Sequence, residues 1–291
     1  MNKLFSIVAA ALLLAACNPS QNNSQNSEAS APPAASGTAQ ADSQQPPALA
    51  LPLEAQALEA AAAKAVEGYQ PAAEKQLIYF DRDSKPADKP SPGGYYREIL
   101  GTMPDGRLVV QDFYQDSGKP QILPALLVKD GDPKDFSTDI NDSLVVWKDE
   151  DGSISSAGEF AQGKLNGWLG VYRNGRLAMQ GRDTEPGLEN EVLFLYADGK
   201  PMMWVHPAAD KQHVIMNAYY PGGGIMVNSI GNANGEGQPV ISAWDKQGKP
   251  APVAAIKEDW ETIQSSLAEL QEHMAQHDTV MGSGQSASAP K

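Results

Sequence analysis

Cysteine is almost absent from this chain: Cys17 stands alone among 291 residues. A single thiol excludes an intrachain disulfide framework and a cysteine-based zinc knuckle. Basic residues are also scarce, 22 Lys and Arg against 36 Asp and Glu, for a formal charge of −14. That balance excludes non-specific nucleic-acid binding, which needs a basic footprint, and an electrostatic grip on anionic lipid. The apolar run at residues 4–14 is too short to span a bilayer. The chain has no G-x-S-x-G, no Walker loop and no H-E-x-x-H, so no catalytic set, cofactor site or metal site can be assigned.

Residues 1–16 read as a processing segment, with Lys3 as the positive start and 4–14 as the apolar stretch. Leu14-Ala15-Ala16-Cys17 follows. These four residues closely resemble the lipobox of bacterial lipoproteins. The other reading is an ordinary secretory signal with an incidental cysteine. The resemblance implies cleavage before Cys17, diacylation of its thiol and often acylation of the new amino terminus. Two or more acyl chains anchor stably, each buried methylene contributing about 0.8 kcal/mol. Asn18 stands where inner-membrane lipoproteins carry Asp, so the resemblance favours the outer membrane. Residues 17–50 are rich in Ser, Asn, Gln, Ala and Pro and are expected to form a disordered tether, with a reach on the order of 30 Å.

Residues 51–75 are rich in Ala, Glu and Leu, which predicts a helix over 54–67 that Gly68 and Pro71 end. Its thin apolar face is expected to pack weakly on the first strands. From 76 to 253 short apolar runs alternate with Gly, Pro, Asp and Asn, the signature of strands and turns. Within this body Trp147, Tyr172, Tyr196, Tyr220 and Trp244 recur at separations of 25, 24, 24 and 24. Each precedes a glycine, at 152, 175, 199, 223 and 248. Such a period points to a repeat architecture, one hairpin per repeat. Asn-Gly and Asp-Gly at the turns suggest tight type I′ hairpins. Equivalent residues then lie two strands apart, about 9.6 Å, and the aromatics are expected to line one sheet face. Five aromatics there mean either a packed core or a partly open stacking groove for a peptide, lipid tail or glycan.

The run from Gly158 and Phe160 through Gly163-Lys164-Leu165, Gly167-Trp168 and Tyr172 to Gly175-Arg176-Leu177 resembles the hairpin unit of MORN-variant repeats. Copies downstream to Gly248 are decayed, and two degenerate copies precede the strong one, around 103–108 and 114–119. This resemblance implies a mainly β fold: an antiparallel hairpin-repeat sheet flanked by an N-terminal and a C-terminal α-helix. Bacterial proteins of this family are often labelled antitoxin-like, which implies an immunity lipoprotein as an alternative to a non-enzymatic protein-binding or scaffold module. An envelope-polymer hydrolase would need a clustered carboxylate pair.

In residues 254–277 Ile256, Trp260, Ile263, Leu267, Leu270 and Met274 are spaced 4, 3, 4, 3 and 4, one stripe of a helix. That stripe is expected to cap the open end of the sheet, or else to dock a partner. Residues 278–291 are polar and read as a frayed tail. His273 and His277 share a helical face without a third ligand, and His206 and His213 flank a turn where both are expected to be exposed. The acidic run Asp130, Asp132, Asp135, Asp139 and Asp142 lacks the glycine-centred loop of a calcium site and reads as solvated. The chain is therefore expected at the cell envelope, on the bilayer through acylated Cys17, with an unidentified protein as partner and no nucleic acid. Intact-mass measurement of the mature protein should show acyl groups on a chain starting at Cys17. Cys17→Ser should release the protein from membranes.

Overall fold

The computed structural model describes residues 45–182 and 191–281, with side chains of the last helix through Ala275. The signal segment, Cys17, most of the expected tether, the Gly187 turn and the end of the chain lie outside the described residues. Among the described residues fourteen antiparallel strands form two sheets, ordered β2-β1-β3-β4-β5 in the first and sequentially in the second. The first holds β1 (Gln70–Phe80), β2 (Pro86–Ala87), β3 (Tyr95–Thr102), β4 (Leu108–Tyr114) and β5 (Ala125–Leu126). β1 starts six residues before the expected strand at 76, through an irregularity between Pro71 and Gln76.

The second sheet runs without a crossover through β6 (Leu144–Lys148), β7 (Ile154–Ala161), β8 (Lys164–Arg173), β9 (Arg176–Arg182) and β10 (Glu191–Leu195). It continues through β11 (Pro201–Pro207), β12 (His213–Tyr219), β13 (Ile225–Asn232) and β14 (Val240–Ala243). Main-chain bonds join the sheets. Gln121 N–H donates to Asp112 O on β4, and Leu123 N–H donates to Val146 O on β6. Residues 120–127 thus sit between β4 and β6, and one meander extends from β1 to β14.

Each repeat carries the same irregularity just past its turn. Ser155, Ala178, Met202 and Met226 are bulged, each lying between two registered pairs. An extra residue flips the faces of everything after it. The turns also differ from the expected type. Gln162-Gly163 and Asn174-Gly175, each between directly paired residues, have both residues at positive φ, the I′ pattern. At Asp105-Gly106, Asp151-Gly152 and Asp198-Gly199 the glycine alone is positive. There the aspartate carboxylate instead accepts the N–H two residues on.

Two helices cover the long sheet, one on each face. Helix α1 (Gln56–Ala65) is shorter than expected. It packs where the two sheets meet, on β6 and β5. Val66, just past the helix, packs with Val109 and Leu126 of the first sheet. Ala55, Leu58 and Ala62 cluster with Val146, Tyr172, Leu177 and Leu193 on one face of the long sheet. We call this the front face. An extended strap, residues 48–55, precedes α1 on the same face. Buried Gln180 reads its backbone, accepting the Ala50 N–H (3.1 Å) and donating to Ala48 O (3.3 Å). Residues expected in the tether therefore belong to the fold. Leu51 fills the space a side chain on Gly170 would need, 2.6 Å from its Cβ position. Leu53 and Ala55 make main-chain bonds to Leu177 and Gly175.

Helix α2 (Lys257–Met281) crosses the back face. Lys246, just past β14, pairs with Asp259 in its first turn, and Arg173 on β8 pairs with Glu269. Ile263, Leu267, Leu270 and Met274 cluster with Val171, Phe194, Met203 and Met216. The apolar stripe is real, but it covers a face and leaves the sheet's end open. Helix geometry continues to Met281, past the expected start of the tail.

The first sheet is held by a buried ion pair. Arg97 Nε and Nη2 donate to the two Asp112 carboxylate oxygens at 2.7 and 2.8 Å, while Nη1 donates to the carbonyls of Pro133 and Asp135. The guanidinium lies against Phe80 and Phe136. This one side chain folds the acidic loop onto the sheet. Breaking such a pair leaves an uncompensated charge, so Arg97→Ala should cost about 3–5 kcal/mol, measured by urea unfolding.

Candidate functional site

The five periodic aromatics do not share a face. Trp147 packs with Val145 and Phe160 on the back. Tyr172, one strand-pair later, is fully buried on the front beside α1. Tyr196 and Tyr220 return to the back, against the cluster beneath α2. Trp244 is half-buried where the chain leaves β14 and bridges to Pro250. The 25-residue first interval and the bulges shift the side-chain parity, so an even period in sequence does not mean a common face.

What the three tyrosines share is a hydroxyl that donates to a main-chain carbonyl. The Tyr196 hydroxyl donates to Tyr219 O at 2.6 Å, and Tyr220 donates to Trp244 O at 2.8 Å. Upstream, Tyr114 donates to Lys148 O at 2.8 Å. In each case the acceptor is the residue just before the start of the next turn at that end of the sheet. Tyr172, beneath the strap, donates to Pro52 O instead. Burial pushes the Tyr196 phenol up to about 12 and raises Tyr114 and Tyr172 further. These hydroxyls therefore remain donors across the physiological range. The tyrosines link repeats, and the five rings do not line one face.

A polar cluster that the sequence did not signal sits on the front face. Glu191, almost fully buried, accepts from Trp204 Nε1 (2.9 Å) and pairs with Arg182 (2.7 Å). The Arg182 guanidinium lies 4.8 Å from the Trp168 ring centre. His206 stacks on Trp204, ring centres 3.7 Å apart. Contrary to expectation His206 is only 6 % exposed, and its Nε2 has no hydrogen-bond partner while Nδ1 lies 3.0 Å from Pro207 O. Its partner in the expected pair, His213, is partly exposed and held by Asp210. The strand pattern of 201–207 gave no signal, because a histidine between Val205 and Pro207 reads as a turn.

The other candidates are spent on structure. His273 Nε2 lies 3.0 Å from Tyr172 O, and the His277 side chain is outside the described residues. In the acidic run Asp132 and Asp135 accept their own loop's N–H groups, and Asp142 pairs with Arg107. Among the described residues no three His, Cys, Asp or Glu converge as metal ligands, and no helix is long and apolar enough to cross a membrane. A second half-buried aromatic row, Tyr79, Tyr96 and Phe113, crosses the first sheet on the front. The Tyr96 and Phe113 rings stack at 4.8 Å.

The front face over β12 to β14 differs from the rest. Across from His206 the register places Ile215, then Ile230, then Val240. None of the three belongs to a described hydrophobic cluster. Val240 is 70 % exposed and Ile230 39 %.

Burial holds the His206 imidazole below its usual value, so the folded protein resists the proton that the unfolded chain accepts near 6.5. Below about pH 6.5 the unfolded state binds more protons, and stability falls as pH drops toward the folded-state value. Urea midpoints should therefore fall between pH 7.5 and 5.5, and His206→Phe should shrink that fall. No protein-family model matches the chain, and no curated protein matches it.

Proposed function

We propose that this chain is a non-enzymatic binding or scaffold module of the cell envelope, held at the membrane by acylated Cys17. The observation that carries the reading is the meander itself. One continuous antiparallel sheet, its nine-strand part about 38 Å between outer strands at 4.8 Å per strand, is fastened repeat to repeat by tyrosine hydroxyls. Buried polar groups within it are engaged with one another, as in the Arg97–Asp112 and Arg182–Glu191–Trp204 sets. Such an element presents a long rigid surface and suits recognition of a macromolecule.

The hairpin units of 24 residues support a relation to MORN-variant repeats: each has a turn glycine, a bulge just after it and an alternating apolar strand. The tether lifts this surface off the lipid, and Asn18 favours the outer membrane.

Photo-crosslinking in intact cells tests the reading. A photoreactive residue at Gln111 or Asn228, both half-buried on the front, should give a protein adduct of one defined mass. The same residue at exposed Glu74 on β1 should give none. Absence of any protein adduct from both sheet positions, with the chain folded and lipidated, would remove the module reading.

A further inference from the structure

The two ends of the meander are built differently. β1 leaves most of its outer edge unpaired, because β2 covers only Tyr79 and Phe80. That edge carries Pro71, Glu74 and Lys75 and is broken by a register irregularity. A proline, charges and a distortion are the usual devices that stop an edge from pairing with another chain.

β14 has none of these devices. Its four residues, Val240, Ile241, Ser242 and Ala243, carry no charge in a chain of net −14. Val240 and Ile241 point to opposite faces and are 70 % and 36 % exposed; Ile230 on the adjacent strand and Val253, at the start of the 3-10 turn before α2, are 39 % and 53 % exposed. Four of the six exposed large hydrophobics among the described residues thus gather at this one end. The main chain is also available. Trp244 N–H donates to Met226 O, so the register places Ser242 and Val240 as bonded partners of Asn228 and Ile230. By alternation the Ile241 N–H and C=O point away from the sheet. Among the described residues they have no partner. One step on, Ala243 O is already taken by Ala251 N–H, which closes that end of the edge.

Resting on the binding-module reading above, we propose that the β14 edge accepts an extended, uncharged peptide strand of a partner protein, rich in β-branched residues. The strand adds to the sheet through the Ile241 main chain. Apolar side chains on its two faces then cover Val240 with Ile230, and Ile241, which accounts for an exposed apolar side chain on each face of one short strand. The lack of charge on the edge selects an uncharged strand, since a buried unpaired charge would oppose pairing. A second copy of this chain fits worse. An edge of four residues falls far short of the roughly 800 Å² per partner of a stable interface. Two strongly acidic copies would also repel. A flexible peptide faces neither obstacle.

The test uses the full chain with residues 1–16 removed and a capped octapeptide alternating valine or isoleucine with threonine. Titration followed by ¹⁵N NMR should shift the amides of residues 227–230 and 240–243. Ile241→Pro removes the outward N–H without breaking a bond to β13, and it should weaken binding by about tenfold or more. Val240→Lys, at an exposed site, should weaken it while the thermal midpoint is unchanged. Three results would overturn the proposal. The first is a shift of β1 or of the Tyr96–Phe113 face on adding peptide, and the second is binding of both variants like the parent. The third is a dimer of the parent in sedimentation that Ile241→Pro converts to monomer, assigning the edge to a second copy. If Ile241→Pro keeps every cross-link formed in cells from Gln111 and Asn228, the module reading stands and the edge proposal falls.

Discussion

A single layer of strands cannot bury itself, and the rest of this structure answers that constraint. Every strand of the long sheet from β8 to β11 places apolar side chains on both faces, so each hairpin repeat leaves two surfaces that need covering. The repeats have no cover of their own. Segments outside them supply it: the strap and α1 on the front, α2 on the back. The flanking helices are therefore not accessories at the ends of a solenoid. Where both covers reach, side chains such as Tyr172, Phe194 and Met203 are almost wholly buried. Where the front cover stops, near β12, exposed isoleucine and valine begin.

Within the layer, repetition is carried by the backbone more than by the aromatics. At the β6–β7, β8–β9, β10–β11 and β12–β13 turns a glycine at positive φ closes the hairpin, and the bulge that follows restores pairing with the next strand. The tyrosine hydroxyls then tie one turn to the next, each bond contributing about 1 kcal/mol. The tie at Tyr172 is diverted to Pro52, which couples the repeat array to the strap. The strap is in turn the described segment nearest Cys17 in sequence.

Much of this was legible from residue order. The 24-residue spacing of Tyr172, Tyr196 and Tyr220, with glycines behind them, is a hairpin period because the turns recur at one end of the sheet. The stripe from Ile256 to Met274 is a helix face, and it packs as one. The assignment of faces was not legible, because a bulge adds one residue without leaving a mark in composition. Trp147 and Tyr172 look equivalent in sequence and lie on opposite sides. Ala48 and Ala50 look like tether, and only the distant Gln180 makes them part of the fold. The front cluster was equally hidden: His206, Glu191 and Arg182 lie far enough apart in the chain that pairing across β9, β10 and β11 alone brings them together. The exposed edge at Val240 and Ile241 reads as an ordinary strand until the sheet order shows no described strand on its far side.

The central claim is that two-sided cover sets stability along the meander and leaves its β14 end bare. Hydrogen–deuterium exchange on the full chain tests it most directly, because slow amides report the free energy of opening. The account predicts slowest exchange in β8 to β10, between the strap and α2, faster exchange in β12 and β13, and rapid exchange at Ile241. Protection in β13 and β14 equal to that of β9 would contradict it.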